Sequence, residues 1–185
     1  MELNEFGTKI KNLMGLTENK QVNGFGCVML YVDFPEFKDL QSKINKEDLY
    51  DDETKSYSFE KNSHVTILYG LHKEVKDQQI KDIISEYEFD NIYIKNISLF
   101  KNDDFEVLKF EVDKEKYLVN CNKELSKLPN TNEFKTFNPH ITIAYLKKGK
   151  GDKYVKMFKG LKYELKPTKI VYSKIDGSEI NFKID

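Results

Sequence analysis

Two short segments of the chain repeat the same residue types in the same order, and those types can do acid–base chemistry. The segments are HVTILY at residues 64–69 and HITIAY at residues 140–145, which share four of six positions, with valine and isoleucine exchanged at a fifth. Side chains two residues apart on a β-strand point to the same face. Each segment therefore predicts a strand that presents one imidazole and one hydroxyl to a common surface.

Two imidazoles are enough for general acid–base catalysis, because histidine titrates at about 6.5 and both of its protonation states are available near neutral pH. One can accept a proton from an attacking water or ribose hydroxyl, and the other can protonate the leaving oxygen. The sequence thus predicts His64 and His140 as catalytic residues, with no metal ion and no cofactor. Thr66 and Thr142 are predicted to donate hydrogen bonds to the non-bridging oxygens of a phosphodiester.

The repetition is what favours a site, because a single His-x-Thr motif is most often an ordinary stretch of sheet surface. The chain contains three histidines, and the third, His72, is predicted to lie in an exposed turn instead of acting as a further ligand. Spacing typical of a zinc site is not visible. Four further residues are weaker candidates for ligand contact. The aromatic rings of Phe59, Phe137 and Tyr172 could stack on a base, or else pack in the core. The ammonium of Lys147 could attract phosphate at the mouth of the cleft.

Composition limits the class of protein. A chain of 185 residues with 39% hydrophobic residues can bury a core as one domain or as two small lobes. A net charge of −1 argues against a dedicated binder of long duplex nucleic acid and leaves room for a small anionic ligand. Cys27 and Cys121 lie in apolar stretches and are predicted to be buried, reduced thiols. No segment resembles a membrane span or a signal peptide, so a cytoplasmic protein is expected.

The order of predicted elements repeats along the chain. Each half reads as a strand, a helix, a loop, a His-Thr strand and a second helix, which predicts an α+β fold with approximate two-fold internal symmetry. Tyr69 and Tyr145 have the strand parity of the aliphatic residues and are predicted to pack with them in the core. The acidic run at residues 47–53 is expected to be a solvated loop at the cleft edge. A short helix is predicted within residues 1–23.

These motifs resemble a known group of enzymes. Residues 64–67 and 140–143 are similar to the paired His-x-Thr/Ser-x signature of the two-histidine phosphoesterase superfamily, which includes bacterial RNA 2′,3′-cyclic phosphodiesterases once described as 2′-5′ RNA ligases. The longer segments 64–71 and 138–146 resemble the phage-associated branch in particular. The resemblance covers nearly everything from residue 24 onward, which leaves residues 1–23 as an N-terminal extension to one bilobal domain of residues 24–185.

The resemblance implies antiparallel sheets that form a concave central cleft with flanking helices, and metal-independent phosphodiester cleavage by the four residues of the two motifs. Anti-CBASS enzymes of the phage branch hydrolyse cyclic di- and trinucleotides that bacteria use as immune alarms. The first hypothesis is therefore a viral phosphodiesterase that acts on cyclic oligonucleotides in the host cytoplasm, away from any membrane. In an alternative hypothesis the enzyme uses the same chemistry but acts on RNA ends, such as 2′,3′-cyclic phosphates, or on 2′-5′ linkages. A non-catalytic sponge that sequesters a nucleotide is a third hypothesis, from another class.

Overall fold

A curved antiparallel sheet of seven strands, with helices packed on one face, forms the body of the protein. The computed structural model describes residues 24–51, 58–132, 134 and 136–184, so the helix predicted within residues 1–23 lies outside the described residues. The strands are β1 (Gly26–Asp33), β2 (His64–Leu71), β3 (Ile92–Lys101), β4 (Phe105–Val112), β5 (His140–Lys147), β6 (Tyr163–Ser173) and β7 (Glu179–Lys183). The helices are α1 (Phe37–Ser42), α2 (Asp77–Ile84), α3 (Lys116–Leu125) and α4 (Asp152–Met157), with a 3-10 turn at Lys46–Asp48.

The strand order divides the sheet into two lobes that share one strand. The order is β2-β1-β6-β3-β4-β5, with β7 also paired to β6, and every pairing is antiparallel. Residues 163–165 of β6 pair with β3, and residues 166–173 pair with β1. The sheet curls so that its two end strands, β2 and β5, contact each other. The predicted bilobal α+β fold, with a His-Thr strand in each half, is confirmed.

One main core lies between the sheet and its helices. It takes alternate residues of the strands, such as Val28 and Leu30 on β1, together with the apolar faces of all four helices. Amphipathic segments bury apolar side chains on the face that meets the sheet, and Ile80 of α2 and Leu118 of α3 are fully buried in this way. No described helix is long and apolar enough to cross a membrane.

A β-bulge interrupts each His-Thr strand just after its threonine. In β2 the pairing to β1 shifts between Thr66 and Leu68, and in β5 the pairing to β4 shifts between Thr142 and Ala144. An extra residue in one strand reverses the alternation of side chains beyond it. The two motif tyrosines are buried, as predicted, but the bulge moves them off the face that carries the aliphatic residues of the main core. Both are buried on the opposite face of the sheet, in two small clusters: Tyr69 beside Cys27 and Met29, and Tyr145 beside Phe105 and Val107.

The acidic loop after α1 is less solvated than its charge suggests. Asp48 is only 5% exposed, accepts a hydrogen bond of 2.5 Å from the Tyr154 hydroxyl and forms an ion pair of 2.6 Å with Lys153. These two donors lower the pKa of the Asp48 carboxyl. The expectation of a fully solvated acidic run is thus wrong at this residue, because the 3-10 turn is tied to α4.

Gly70 allows the end of β2 to lie tightly against the segment that precedes β5. Its φ of +102° is a conformation that other residues rarely adopt, and a Cβ there would lie 3.0 Å from the backbone carbonyl of Thr131. The Thr131 amide donates a hydrogen bond of 2.9 Å to the Gly70 carbonyl. This contact holds residues 130–132 in place beside the His-Thr strand.

Gly70→Ala is expected to lower the free energy of unfolding by about 3 kcal/mol, since it adds a backbone collision to an unfavourable φ. The matched control is Gly160→Ala, where φ is +85° and no atom lies within 4 Å of the added Cβ, and about 1 kcal/mol is expected. Urea unfolding of both variants measures the difference. Equal losses would show that the contact with Thr131 is not tight.

Candidate active site

Both motif histidines are held in the same way. The Nδ1 atom of His64 lies 3.0 Å from the Asn62 carbonyl oxygen, and Nδ1 of His140 lies 2.9 Å from the Asn138 carbonyl oxygen. A carbonyl oxygen only accepts hydrogen bonds, so Nδ1 carries the hydrogen and Nε2 is the nitrogen that exchanges a proton with a ligand. The two asparagines were not singled out from the sequence, although an asparagine stands two residues before the histidine in both motifs.

An aromatic ring from another strand packs against each imidazole. Tyr31 of β1 pairs with His64 in register, and the two rings stack with centroids 5.5 Å apart. Phe100 of β3 meets His140 edge-on at 5.0 Å. Burial raises the pKa of Tyr31 to about 12, so its hydroxyl stays protonated near neutral pH and does not serve as a base. These rings restrict how the imidazoles can turn.

The two threonines lie next to their histidines on the same face, as the alternation of a strand requires. Thr66 hydrogen-bonds the Cys27 thiol, and burial raises the pKa of that thiol to about 12. Cys27 therefore stays protonated near neutral pH and orients Thr66 without acting as a nucleophile. Thr142 is 8% exposed and lies directly across from Lys109 of β4.

A single cavity of about 610 Å³ brings the four motif residues together. His64 and Thr66 come from β2, and His140 and Thr142 come from β5, so each half of the molecule supplies one imidazole and one hydroxyl. The remaining lining is formed mainly by polar and aromatic side chains, among them Phe100, Asn102, Asn122, Asn130, Asn132, Phe134 and Phe137. A cavity of this size can hold a nucleotide.

Among the weaker candidates, the structure places Phe137 in the wall of this cavity. The other three candidates are not among the residues that line this cavity. Phe59 forms a bridge to Ala144 and packs against the main core. Lys147 donates a hydrogen bond of 2.8 Å to the Glu47 carbonyl. Tyr172 is 2% exposed within the main core. Strand parity and loop paths decide these positions, and neither can be read from residue type.

One wall of the cavity is built from amide side chains that sequence reasoning missed. Asn122 of α3 donates a hydrogen bond of 2.6 Å to the Ile67 carbonyl at the bulge of β2. The side-chain Oδ1 of Asn130 accepts a hydrogen bond of 3.0 Å from the backbone N–H of Asn132. The side-chain Oδ1 of Asn132 accepts one of 3.0 Å from the backbone N–H of Phe134. Phe134 is 59% exposed. This wall offers hydrogen-bonding groups and an accessible aromatic ring, which suits a nucleobase.

His72 does not line the cavity. It follows β2, and its Nε2 lies 2.6 Å from the Thr131 hydroxyl, while its Nδ1 lies 3.4 Å from a Glu74 carboxylate oxygen. Among the described residues, no group of three or more His, Cys, Asp and Glu side chains is placed to hold a metal ion. His72 supports the segment beside Gly70 and takes no part in the pair of imidazoles.

The electrostatic surroundings of the two histidines differ. Burial, followed by the positive charges of Lys109 and His64, lowers the pKa of His140 to about 4, and its hydrogen bond to Asn138 offsets this only in part. On the other side, burial raises the pKa of the Glu60 carboxyl, while the charge of His64 acts in the opposite direction. Glu60 is thus an acidic neighbour of His64, whereas His140 has both an acid, Glu111, across from it and the positive charge of Lys109 acting on it.

Comparison with known proteins establishes the fold. No family model matches the sequence, and no curated protein matches it. The structure of Usb1 from Kluyveromyces marxianus aligns over 86% of this chain and 98% of the Usb1 chain, with a TM-score of 0.54 and 10% sequence identity. The structure of the same protein with uridine monophosphate aligns with the same coverage and TM-score, at 9% identity. The MHV ns2 PDE domain aligns over 86% and 99%, with a TM-score of 0.49 and 18% identity. At these identities the likeness to Usb1 shows the fold alone, and it agrees with the predicted α+β architecture.

The low pKa of His140 makes folding stability depend on pH. The folded protein keeps this imidazole neutral down to about pH 4, whereas the unfolded chain protonates it below about 6.5. The unfolded state therefore binds more protons between these values, and the free energy of unfolding falls as pH falls through this window. From pH 7 to pH 4, wild-type protein is expected to lose about 3 kcal/mol relative to His140→Asn. Urea unfolding across this range tests it, and parallel pH curves would contradict it.

Proposed function

We propose that this chain is a metal-independent phosphodiesterase that hydrolyses cyclic oligonucleotides. The observation that carries the proposal is the convergence of His64, Thr66, His140 and Thr142 from two halves of the chain in one cavity. Acid–base cleavage of a phosphodiester needs one group that removes a proton and another that delivers one, on opposite sides of the phosphorus atom. Two strands facing each other across a cavity supply that arrangement.

The proposed reaction uses the free Nε2 atoms. The Nε2 of one histidine takes a proton from water as the water oxygen bonds to phosphorus. The P–O bond to the leaving ribose oxygen breaks, and the Nε2 of the other, protonated histidine delivers its proton to that oxygen. The Thr66 and Thr142 hydroxyls donate hydrogen bonds to the two non-bridging oxygens, where negative charge builds in the transition state. Proton exchange with solvent then restores both histidines.

The shape and lining of the cavity support a nucleotide substrate of modest size. The amide wall and Phe134 lie at one side of the histidines and can contact a base, while the cavity walls limit the volume available to about 610 Å³. A net charge of −1 gives little general attraction for a long polyanion. Usb1, which shares this fold, has been solved with uridine monophosphate. A cyclic di- or trinucleotide with one phosphodiester seated between the histidines fits these features, in keeping with the phage-branch resemblance and a viral counter-defence role.

The alternative substrate is RNA with a 2′,3′-cyclic phosphate or a 2′-5′ linkage. The two histidines would carry out the same proton transfers, the two threonines would hold the phosphate in the same way, and only the groups bound by the amide wall would differ. The sponge hypothesis has less support, because a protein that only binds a nucleotide does not need two imidazoles with both Nδ1 atoms fixed and both Nε2 atoms available.

Turnover is expected to depend on both histidines and not on a divalent metal. His64→Ala and His140→Ala should each reduce kcat by a factor of roughly 10³ or more, because each removes one proton transfer, while an excess of chelator should leave the rate unchanged. His72→Ala is the matched control and should retain activity, since this third histidine lies outside the cavity. Chromatography of a panel of cyclic di- and trinucleotides measures the products.

A competition assay decides between the substrates. A cyclic dinucleotide and a short RNA with a 2′,3′-cyclic end are incubated together with the protein, and both are followed by chromatography. Consumption of the cyclic dinucleotide is the expected result, and consumption of the RNA alone would favour the alternative. Binding with recovery of unchanged ligand after denaturation would sink the enzymatic proposal and leave the sponge.

A further inference from the structure

The two halves of the site differ by one buried cation. Lys109 of β4 lies directly across from Thr142 of β5, next to the bulge that follows Thr142. In β1, Met29 occupies the corresponding place across from Thr66, again next to the bulge. Lys109 is only 5% exposed and Met29 is 7% exposed. The backbone symmetry therefore places an ammonium group in one half where the other half has a thioether.

Lys109 is fixed close to His140. Its Nζ donates a hydrogen bond of 2.8 Å to the Ser98 hydroxyl, and that hydroxyl donates one of 2.7 Å to the Glu111 carboxylate. The same Nζ lies 4.2 Å from the centroid of the Phe100 ring, which meets the His140 imidazole edge-on at 5.0 Å. The ammonium, the aromatic ring and the imidazole thus form a continuous contact on one face of the sheet.

The charge of Lys109 is only partly compensated. Its ion pair with Glu111 spans 3.8 Å, and the Glu111 side chain is 38% exposed. Burial lowers the pKa of Lys109 itself, although Glu111 opposes this effect. A buried ammonium beside an imidazole disfavours the imidazolium form. After burial, Lys109 and then His64 are the charges that lower the pKa of His140.

Other charged groups around His140 are less well placed to act on it. Glu111 lies across from His140 in β4 and opposes the effect of Lys109. Lys101 of β3 lines the same cavity but is 58% exposed and paired with Asp152 at 3.1 Å. Lys123 of α3 also lines the cavity and is exposed to solvent. Water screens exposed charges far more than buried ones.

The neighbours of His64 differ from those of His140. Its imidazole stacks on Tyr31. It interacts with the Glu60 carboxylate, whose pKa the charge of His64 lowers against the effect of burial. Lys169 contacts the same tyrosine ring at 5.1 Å, but its ammonium donates a hydrogen bond of 2.9 Å to Asn181.

We infer that Lys109 biases the roles of the two histidines: its buried ammonium, in contact with His140 through the Phe100 ring, favours His140 as the general base and leaves proton donation to His64. In this assignment, Nε2 of His140 removes the proton from the attacking oxygen. As the ester P–O bond breaks, the His64 imidazolium delivers its proton to the leaving oxygen. Lys109 acts through His140 and is a positioning residue of the site. The assignment of roles rests on the proposed function, whereas the effect of Lys109 on His140 does not.

Lys109→Met tests the inference, because it gives the β4 half the residue found in the β1 half. The His140 imidazole is followed by NMR between pH 3 and 8, and its pKa is expected to rise by roughly one unit from its wild-type value. It stays below the ordinary value of histidine, since burial remains. Lys109→Arg retains the charge and should retain the low pKa. Lys101→Met removes a cation from the exposed rim and should leave the titration of His140 unchanged.

With an active substrate, the acidic limb of kcat/KM against pH should move to higher pH in Lys109→Met by the same amount as the NMR titration. An unchanged titration of His140 in a folded Lys109→Met protein would overturn the inference. Should that variant not fold, Lys109→Gln, which can still donate to Ser98, carries the same expectation. The NMR titration needs no turnover, so inactivity toward every nucleotide would defeat the proposed function without affecting this test.

Discussion

The site depends on β6, the strand that belongs to both halves of the molecule. Its first residues pair with β3 and the rest pair with β1, so one continuous strand joins the two lobes. A bulge at Thr168, next to Pro167, lies just after this change of partner, and proline is tolerated in a sheet at such irregular positions. Because β6 fixes the angle between the lobes, β2 and β5 meet and their histidines open into one cavity.

The repeated backbone and the unequal side chains have different consequences. Each half repeats an asparagine carbonyl that fixes Nδ1, a threonine beside the histidine and a bulge after the threonine. This repetition presents two similar imidazoles to one ligand. The strands next to them are not repeated: β1 contributes Met29 and Tyr31, whereas β4 contributes Lys109 and Glu111. The repeated backbone therefore builds the pair of imidazoles, and the unequal side chains of the neighbouring strands give the two imidazoles different electrostatic surroundings.

The sequence predicts the elements and the four motif residues because their signals are local. Strand alternation, helical periodicity and the repeated phrase each lie within a few neighbouring residues. What the sequence does not predict comes from pairing between distant strands. The bulges that move Tyr69 to the opposite face from Val65, and the approach of Phe100 and Lys109 to His140, depend on register. The hydrogen bond from Lys147 to the Glu47 carbonyl likewise joins β5 to a distant turn of the chain.

The central claim is that histidines from both halves contact one phosphodiester at the same time. NMR signals of the three imidazoles, followed during titration with a phosphorothioate analogue of a cyclic dinucleotide that resists hydrolysis, test it directly. The signals of His64 and His140 are expected to shift together with a single apparent Kd, and the signal of His72 is expected not to move. A shift of only one motif histidine, or a shift of His72 in their place, would contradict it.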